Sequence, residues 1–238
     1  MNGKINIVID SPIIPTNQWQ PLASISEGHA NLVAKDWGIQ AQAVTIGTKT
    51  DPTAWLNVFI GDNYTLPSNV LGEHLTADVN GNVLAYVSAR KTMSRTGAPF
   101  GYIVKGRKAS LTHKATPDTY VSGSLMEVLT HEIAEALVDP NINRVALCKS
   151  TNQNWLIEVG DQAHGSRFVI SYTDPKTKAV TQGICADYTL PSFYVEGSKA
   201  PWSHTGLVSA PFHLDAHCYA TIYDAKTGAR IPTAPYTE

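Results

Sequence analysis

Charge is scarce in this chain: Asp, Glu, Lys and Arg make up 16% of the 238 residues and the net charge is −2. No run of Lys or Arg forms the basic footprint that nucleic-acid binding requires, so no nucleic-acid partner is expected. Cysteine is scarce too. Cys148, Cys185 and Cys218 are odd in number, widely spaced and free of any C-x-x-C, which argues against a disulfide framework and a zinc ribbon and for packed thiols. No apolar run approaches the length of a membrane span, so no membrane partner is expected. The start MNGKINIVID has the alternation of a strand, and no signal peptide is expected, which is consistent with a cytoplasmic or virion-associated protein. Internal repeats and low-complexity stretches are absent. With 43% hydrophobic residues the chain can bury a substantial core.

One further shortage directs attention to a single stretch. From Ser124 to Asn143 there is no Lys or Arg, yet the window holds Glu127, Glu132, Glu135 and Asp139 among almost wholly apolar neighbours. Ser122-Gly123-Ser124 offers a helix cap and Asp139-Pro140 a stop, so SLMEVLTHEIAEALVDP reads as a buried helix. At about 100° per residue, Met126, Leu129, Ile133, Ala136 and Leu137 share one face, with His131 and Glu135 roughly opposite. His131 and Glu135, one turn apart, can converge on one ion. Glu132 points elsewhere and can touch a water on that ion without ligating it. This H-E-x-x-E spacing parallels the H-E-x-x-H of zinc hydrolases, in which the intervening glutamate is the general base. A carboxylate in place of the second histidine still suits zinc and shifts the site toward harder divalent cations. An ordinary polar helix face is the competing reading. Against it stands the penalty of burying several carboxylates with no basic residue nearby in sequence.

The rest of the chain supplies candidate partners. Strands are expected at Lys4 to Val8, Ala41 to Ile46, Trp55 to Ile60, Trp155 to Val159, Arg167 to Thr173, Ala179 to Ala186 and Tyr219 to Tyr223, and a helix over Ser24 to Trp37. Asn80-Gly81 between Asn69–Asp78 and Val83–Ala89 signals a hairpin. His74 lies on its entry arm, where it could stabilise an oxyanion while the Val83 to Ala89 strand aligns an extended substrate. Lys91 to Tyr120, rich in Gly, Ser, Thr, Pro and Lys, reads as a long surface loop or flap over residues 91–120. Glu158 and Asp161 follow an apolar strand, and either could be the third metal ligand, with the other orienting His131; His164 is a weaker candidate. Asp139 lies too far along the helix to share the ion of His131 and is expected to anchor the following loop. His29 reads as a packing or surface histidine. The simplest architecture is a single α+β domain over residues 1–238, a mixed sheet packed on a central metal-binding helix.

Four segments together resemble a known family. THEIAEALVDPNIN, IEVGD, ADYTLPSFY and APFHLDAHCYA are similar to the H-E-x-x-E-x-x-x-D-P, E-x-x-D, F-x-L-P-S-W-F and P-F-x-L-x-x-G-G-Y motifs of zincin-like proteins from bacteriophages and bacteria. A more distant likeness is to secreted plant and bacterial proteins of the exordium type. The resemblance covers Trp37 to Tyr223. It implies a zincin-like fold with a metal on His131 and Glu135, Glu132 beside it, and Glu158 or Asp161 completing the site. Two departures stand out: Gly160 replaces a frequent cysteine, and His217-Cys218 replaces the paired glycines. Two functions follow as expectations. One is a zinc-dependent metallohydrolase acting on peptide or protein substrates, its cofactor Zn²⁺ or another divalent cation. The other is a phage or prophage virion protein that contacts neighbouring subunits and keeps the scaffold without turnover.

Overall fold

Lys4–Asp10 (β1) buries both faces of its apolar run, as an interior strand with neighbours on either side must. The computed structural model, which describes residues 3–62, 64–67, 69–101 and 123–233, places it second in a five-stranded sheet. Its partners are Ala43–Gly47 (β2) and Leu56–Gly61 (β3), both parallel to it, with Ile5 opposite Val44 and Leu56. Val83–Ser88 (β5) extends the sheet parallel to β3, and Gly72–His74 (β4) closes it as an antiparallel edge, giving the order β2-β1-β3-β5-β4.

Two helices cover one face of this sheet. Trp19–Asp36 (α1) starts five residues before the expected Ser24. Pro21 falls in its first turn, where a missing N–H breaks no helical hydrogen bond, so the proline-rich approach does not delay the helix. Leu125–Val138 (α3) is capped by the Ser124 hydroxyl, which accepts from the Glu127 N–H, and it packs beside α1 and against β5 and β4. On the far side of both helices lies the hairpin of Arg167–Thr173 (β8) and Val180–Ala186 (β9). Sandwiched in this way, α3 buries all 14 of its residues. This agrees with the expected buried helix, and it covers the polar side of α3 as well as its core side.

A four-stranded antiparallel sheet adds Val145–Cys148 (β6), Gln153–Leu156 (β7), Ile222–Asp224 (β10) and Arg230–Ile231 (β11), in the order β11-β10-β7-β6. Its own small core contains Trp155, Phe193, Val208 and Ile222. The architecture is thus mixed, with helices and several sheets, and agrees with the α+β expectation.

Two further expectations change. Residues 91–96 are not loop but belong to a helix, Ala89–Thr96 (α2), capped by the Ser88 hydroxyl and ended by Gly97 in the left-handed region at φ 64°. Its polar composition hid two local signals, a serine cap and a C-terminal glycine. Residues 102–120 of the expected flap lie outside the described residues. The Trp155 to Val159 strand ends instead at Leu156, where the Glu158 N–H turns back to the Leu156 carbonyl. Among the described residues no helix is long and apolar enough to cross a membrane.

Candidate metal centre

The helical turn between His131 and Glu135 brings both side chains to one point, and Asp161 reaches the same point from the short 3-10 turn Asp161–Ala163 after β7. His131 Nε2 lies 3.1 Å from Glu135 Oε1 and 3.2 Å from Asp161 Oδ1. Ligands held about 2.0–2.1 Å from a tetrahedral ion stand about 3.3 Å from each other, so these separations suit two edges of a coordination shell. Glu135 Oε1 is buried and has no hydrogen-bond partner, despite its closeness to the imidazole. A buried acceptor facing a ring nitrogen without an aligned hydrogen bond suits a carboxylate paired with a protonated imidazole and, once the proton is displaced, two ligands of one cation. On this chemistry the residues fit a divalent metal.

A second group lies on the other side of Glu135. His74 Nδ1 stands 3.6 Å from Glu135 Oε2 and 3.8 Å from Glu132 Oε2, and the donor atoms of His74, Glu135 and Glu158 fall within 4.8 Å of one another. Both acids left open as alternatives are therefore brought in, Asp161 toward His131 and Glu158 toward His74. On a regular strand residues three apart face opposite ways; the turn through Gly160 removes that alternation. His74 packs on the carboxylates of Glu132 and Glu135 and is not among the residues that line the cleft described below.

Two glycines make this close packing feasible. A Cβ on Gly160 would lie 2.5 Å from His131 Nδ1, and one on Gly72 would lie 2.7 Å from Val128 Cγ1 and 2.8 Å from Glu132 Oε1. Gly72 thereby lets β4 run directly over α3, and Gly160 seats the acid-bearing turn against the His131 ring.

The electrostatics are those of a cluster short of positive charge. Burial opposes the charged imidazole of His131, but Glu135 and Asp161 outweigh it and hold the group well above its usual value. The same contest at His74, against Glu132 and Glu135, pushes it up to about 11. Burial and the neighbouring Glu135 raise Glu158 to about 9 and Asp161 to about 7. Burial raises Glu132 as well, whereas at Glu135 the two imidazoles overcome burial and hold the carboxyl below its usual range. Without a cation the cluster keeps protons, and a cation would displace them. His164 is the opposite case: burial, then His131 and Arg167, drives it down to about 3, and its ring sits edge-on to His131 at 5.8 Å.

A cleft of about 450 Å³ opens onto this centre, with Gly72, His131, Glu132, Asp161, His164, Tyr219 and Arg230 in its walls. Strand β4 borders it. Leu75 donates to Leu84 and Ser88 donates to Leu71, so the antiparallel alternation turns the main-chain groups of Gly72 and His74 outward, to the free edge. Strand β5, expected to align the substrate, is paired on both sides and has no free edge at Ala85–Val87.

Sequence reasoning missed Tyr219 and Arg230. The Tyr219 side chain hydrogen-bonds Asp161, and its N–H donates to the Asp161 carbonyl at 3.2 Å. The tyrosine closing the last of the four motifs was its signal; nothing local marked Arg230. Asp139 anchors the following loop as expected, accepting from the Arg144 N–H at 2.7 Å. His29 is a packing histidine, stacked on Phe168 with Nε2 2.9 Å from the Ala186 carbonyl. No family model, curated protein or solved structure matches this chain.

Proposed function

We propose that this protein is a metal-dependent hydrolase of zincin-like fold that cleaves extended peptide segments, and that its likeness to the zincin-like proteins of phages and bacteria reflects that fold. The observation that carries the reading is the convergence of His131, Glu135 and Asp161 at ligand-to-ligand distances, next to Glu132 and on the wall of a cleft. Those three residues would hold the cation. When bound, a zinc or similar divalent ion supplies Lewis acidity, activating water and polarising an amide carbonyl. One imidazole and two carboxylates form a harder set than an all-histidine site, so manganese is a reasonable competitor to zinc.

The chain's own groups do the remaining work. Glu132, on the cleft wall, takes a proton from the attacking water and returns it to the leaving amine. Tyr219 fixes Asp161 through its hydrogen bond. The outward main-chain groups of Gly72 and His74 on β4 pair with an extended substrate as an added strand.

The test is casein or peptide-library hydrolysis by zinc-loaded protein, beside Glu132→Gln and His131→Ala. Wild type should cleave, EDTA should stop it, Glu132→Gln should keep metal while losing ~10²–10⁴-fold in rate, and His131→Ala should lose affinity for the metal. Full activity in Glu132→Gln would remove the proposed base. Bound metal with no hydrolysis of any peptide would favour the virion-scaffold reading.

A further inference from the structure

We propose that the centre takes two cations: a second divalent ion sits between His74, Glu135 and Glu158, and Glu135 bridges it to the ion on His131, Glu135 and Asp161. The inference rests on the hydrolase reading for the first ion and adds a site to it.

Glu135 is the reason. Its Oε1 faces His131 Nε2 at 3.1 Å, and its Oε2 faces His74 Nδ1 at 3.6 Å. Each oxygen of one carboxylate thus faces a different imidazole, the arrangement of a bridging ligand between ions about 3.5–4 Å apart. The second donor set is complete in the same sense as the first, with one histidine and two carboxylates within 4.8 Å of one another. All three of its residues are buried, and each comes from a different element: β4, α3 and the turn after β7.

An independent observation points to a ligand there. The His74 side chain is only 4% exposed, and its Nδ1, the nitrogen that faces the acids, stands 3.6 Å from Glu135 and 3.8 Å from Glu132, beyond hydrogen-bond reach of either. A buried imidazole normally satisfies both nitrogens, so this one lacks a partner that the protein itself does not provide.

The experiment is metal stoichiometry on the full chain, dialysed against Zn²⁺ or Mn²⁺ and measured by mass spectrometry, with EPR of the Mn²⁺ form. Wild type should hold two equivalents and give the spectrum of an exchange-coupled pair. Glu158→Gln and His74→Leu should each fall to one equivalent with an isolated six-line signal. Both variants keeping two coupled ions would overturn the ligand assignment. Wild type with one equivalent that His131→Ala removes would overturn the second site and leave the first intact. One equivalent that survives His131→Ala but not His74→Leu would overturn the pair and the first reading together, as would no binding at all. Should either variant fail to fold by circular dichroism, the wild-type count and spectrum still decide.

Discussion

Replacing Gly160 by alanine adds one methyl group and tests whether the His131 ring must stand where it does. The backbone raises no objection, because Gly160 sits at φ −76° and ψ −40°, open to any residue. Space does: the new Cβ would lie 2.5, 2.7 and 3.0 Å from Nδ1, Cε1 and Cγ of His131, where ordinary contact begins near 3.4 Å. The ring or the turn must yield by about 0.9 Å, and neither is the loose end of a flexible side chain. Either way His131 and Asp161 part by nearly half the length of a metal–nitrogen bond of about 2.0 Å. Overpacking alone should lower stability by about 1–3 kcal/mol. The larger effect should be on the metal, about 10–100-fold in affinity, the usual result of disturbing a group that supports a ligand. Zinc affinity by chelator competition and urea unfolding in excess EDTA separate the two. Gly47→Ala, where a Cβ meets nothing within 4 Å, is the control and should leave metal affinity unchanged. Wild-type zinc affinity in Gly160→Ala would refute the claimed geometry.

Other consequences concern pH, the interior and the helix cap. His74, His131, Glu158 and Asp161 all bind protons more tightly in the folded chain than outside it. Their stabilisation is complete in acid, below the unfolded values, and is lost as pH rises through the folded ones, so the urea midpoint of metal-free protein should fall from pH 6 to pH 9. Saturating zinc should reduce that fall, since the deprotonated groups then bind the ion; a metal-free midpoint that rises over this range would contradict the cluster's electrostatics. Glu135, held low, acts the other way, and its contribution should disappear only as pH drops below the ordinary carboxylate range. Arg167 Nε donates to Glu127 Oε1 at 2.7 Å with both side chains 5% exposed, so Arg167→Met should lower stability by about 3–5 kcal/mol in urea, and Glu127→Met added to it should recover part. Ser124→Ala removes the cap of α3 and should lower stability by about 1 kcal/mol; no change would deny the cap a role.

What the sequence made legible was local. The spacing of His131 and Glu135 needs only one helical turn, and a serine cap with Asp-Pro at the far end bounded that helix within a residue or two. The pairing of Arg167–Thr173 with the strand after Asp174 was equally readable, because the turn residues of DPKTK sit between two strand-like runs. The misses were non-local. That the polar side of α3 is covered depends on β4, some 50 residues earlier, and on the turn after β7, about 25 residues later. Strand β4 has three residues, too few to show a period, so His74 could be placed on a hairpin arm but not among the acids. Glu158 and Asp161 could not be told apart because the choice rested on strand regularity, and the strand stops before either. The substitution of glycine for cysteine at 160 looked like a departure from the motif; in the fold it is the clearance for an imidazole ring.

Glu135 contributes one oxygen to each donor set, so the most direct measurement is zinc content of Glu135→Ala beside wild type, both dialysed against excess zinc and then against buffer. Wild type should retain stoichiometric zinc and the variant, still folded, should retain none. Undiminished zinc in Glu135→Ala, or none in wild type, would contradict the account.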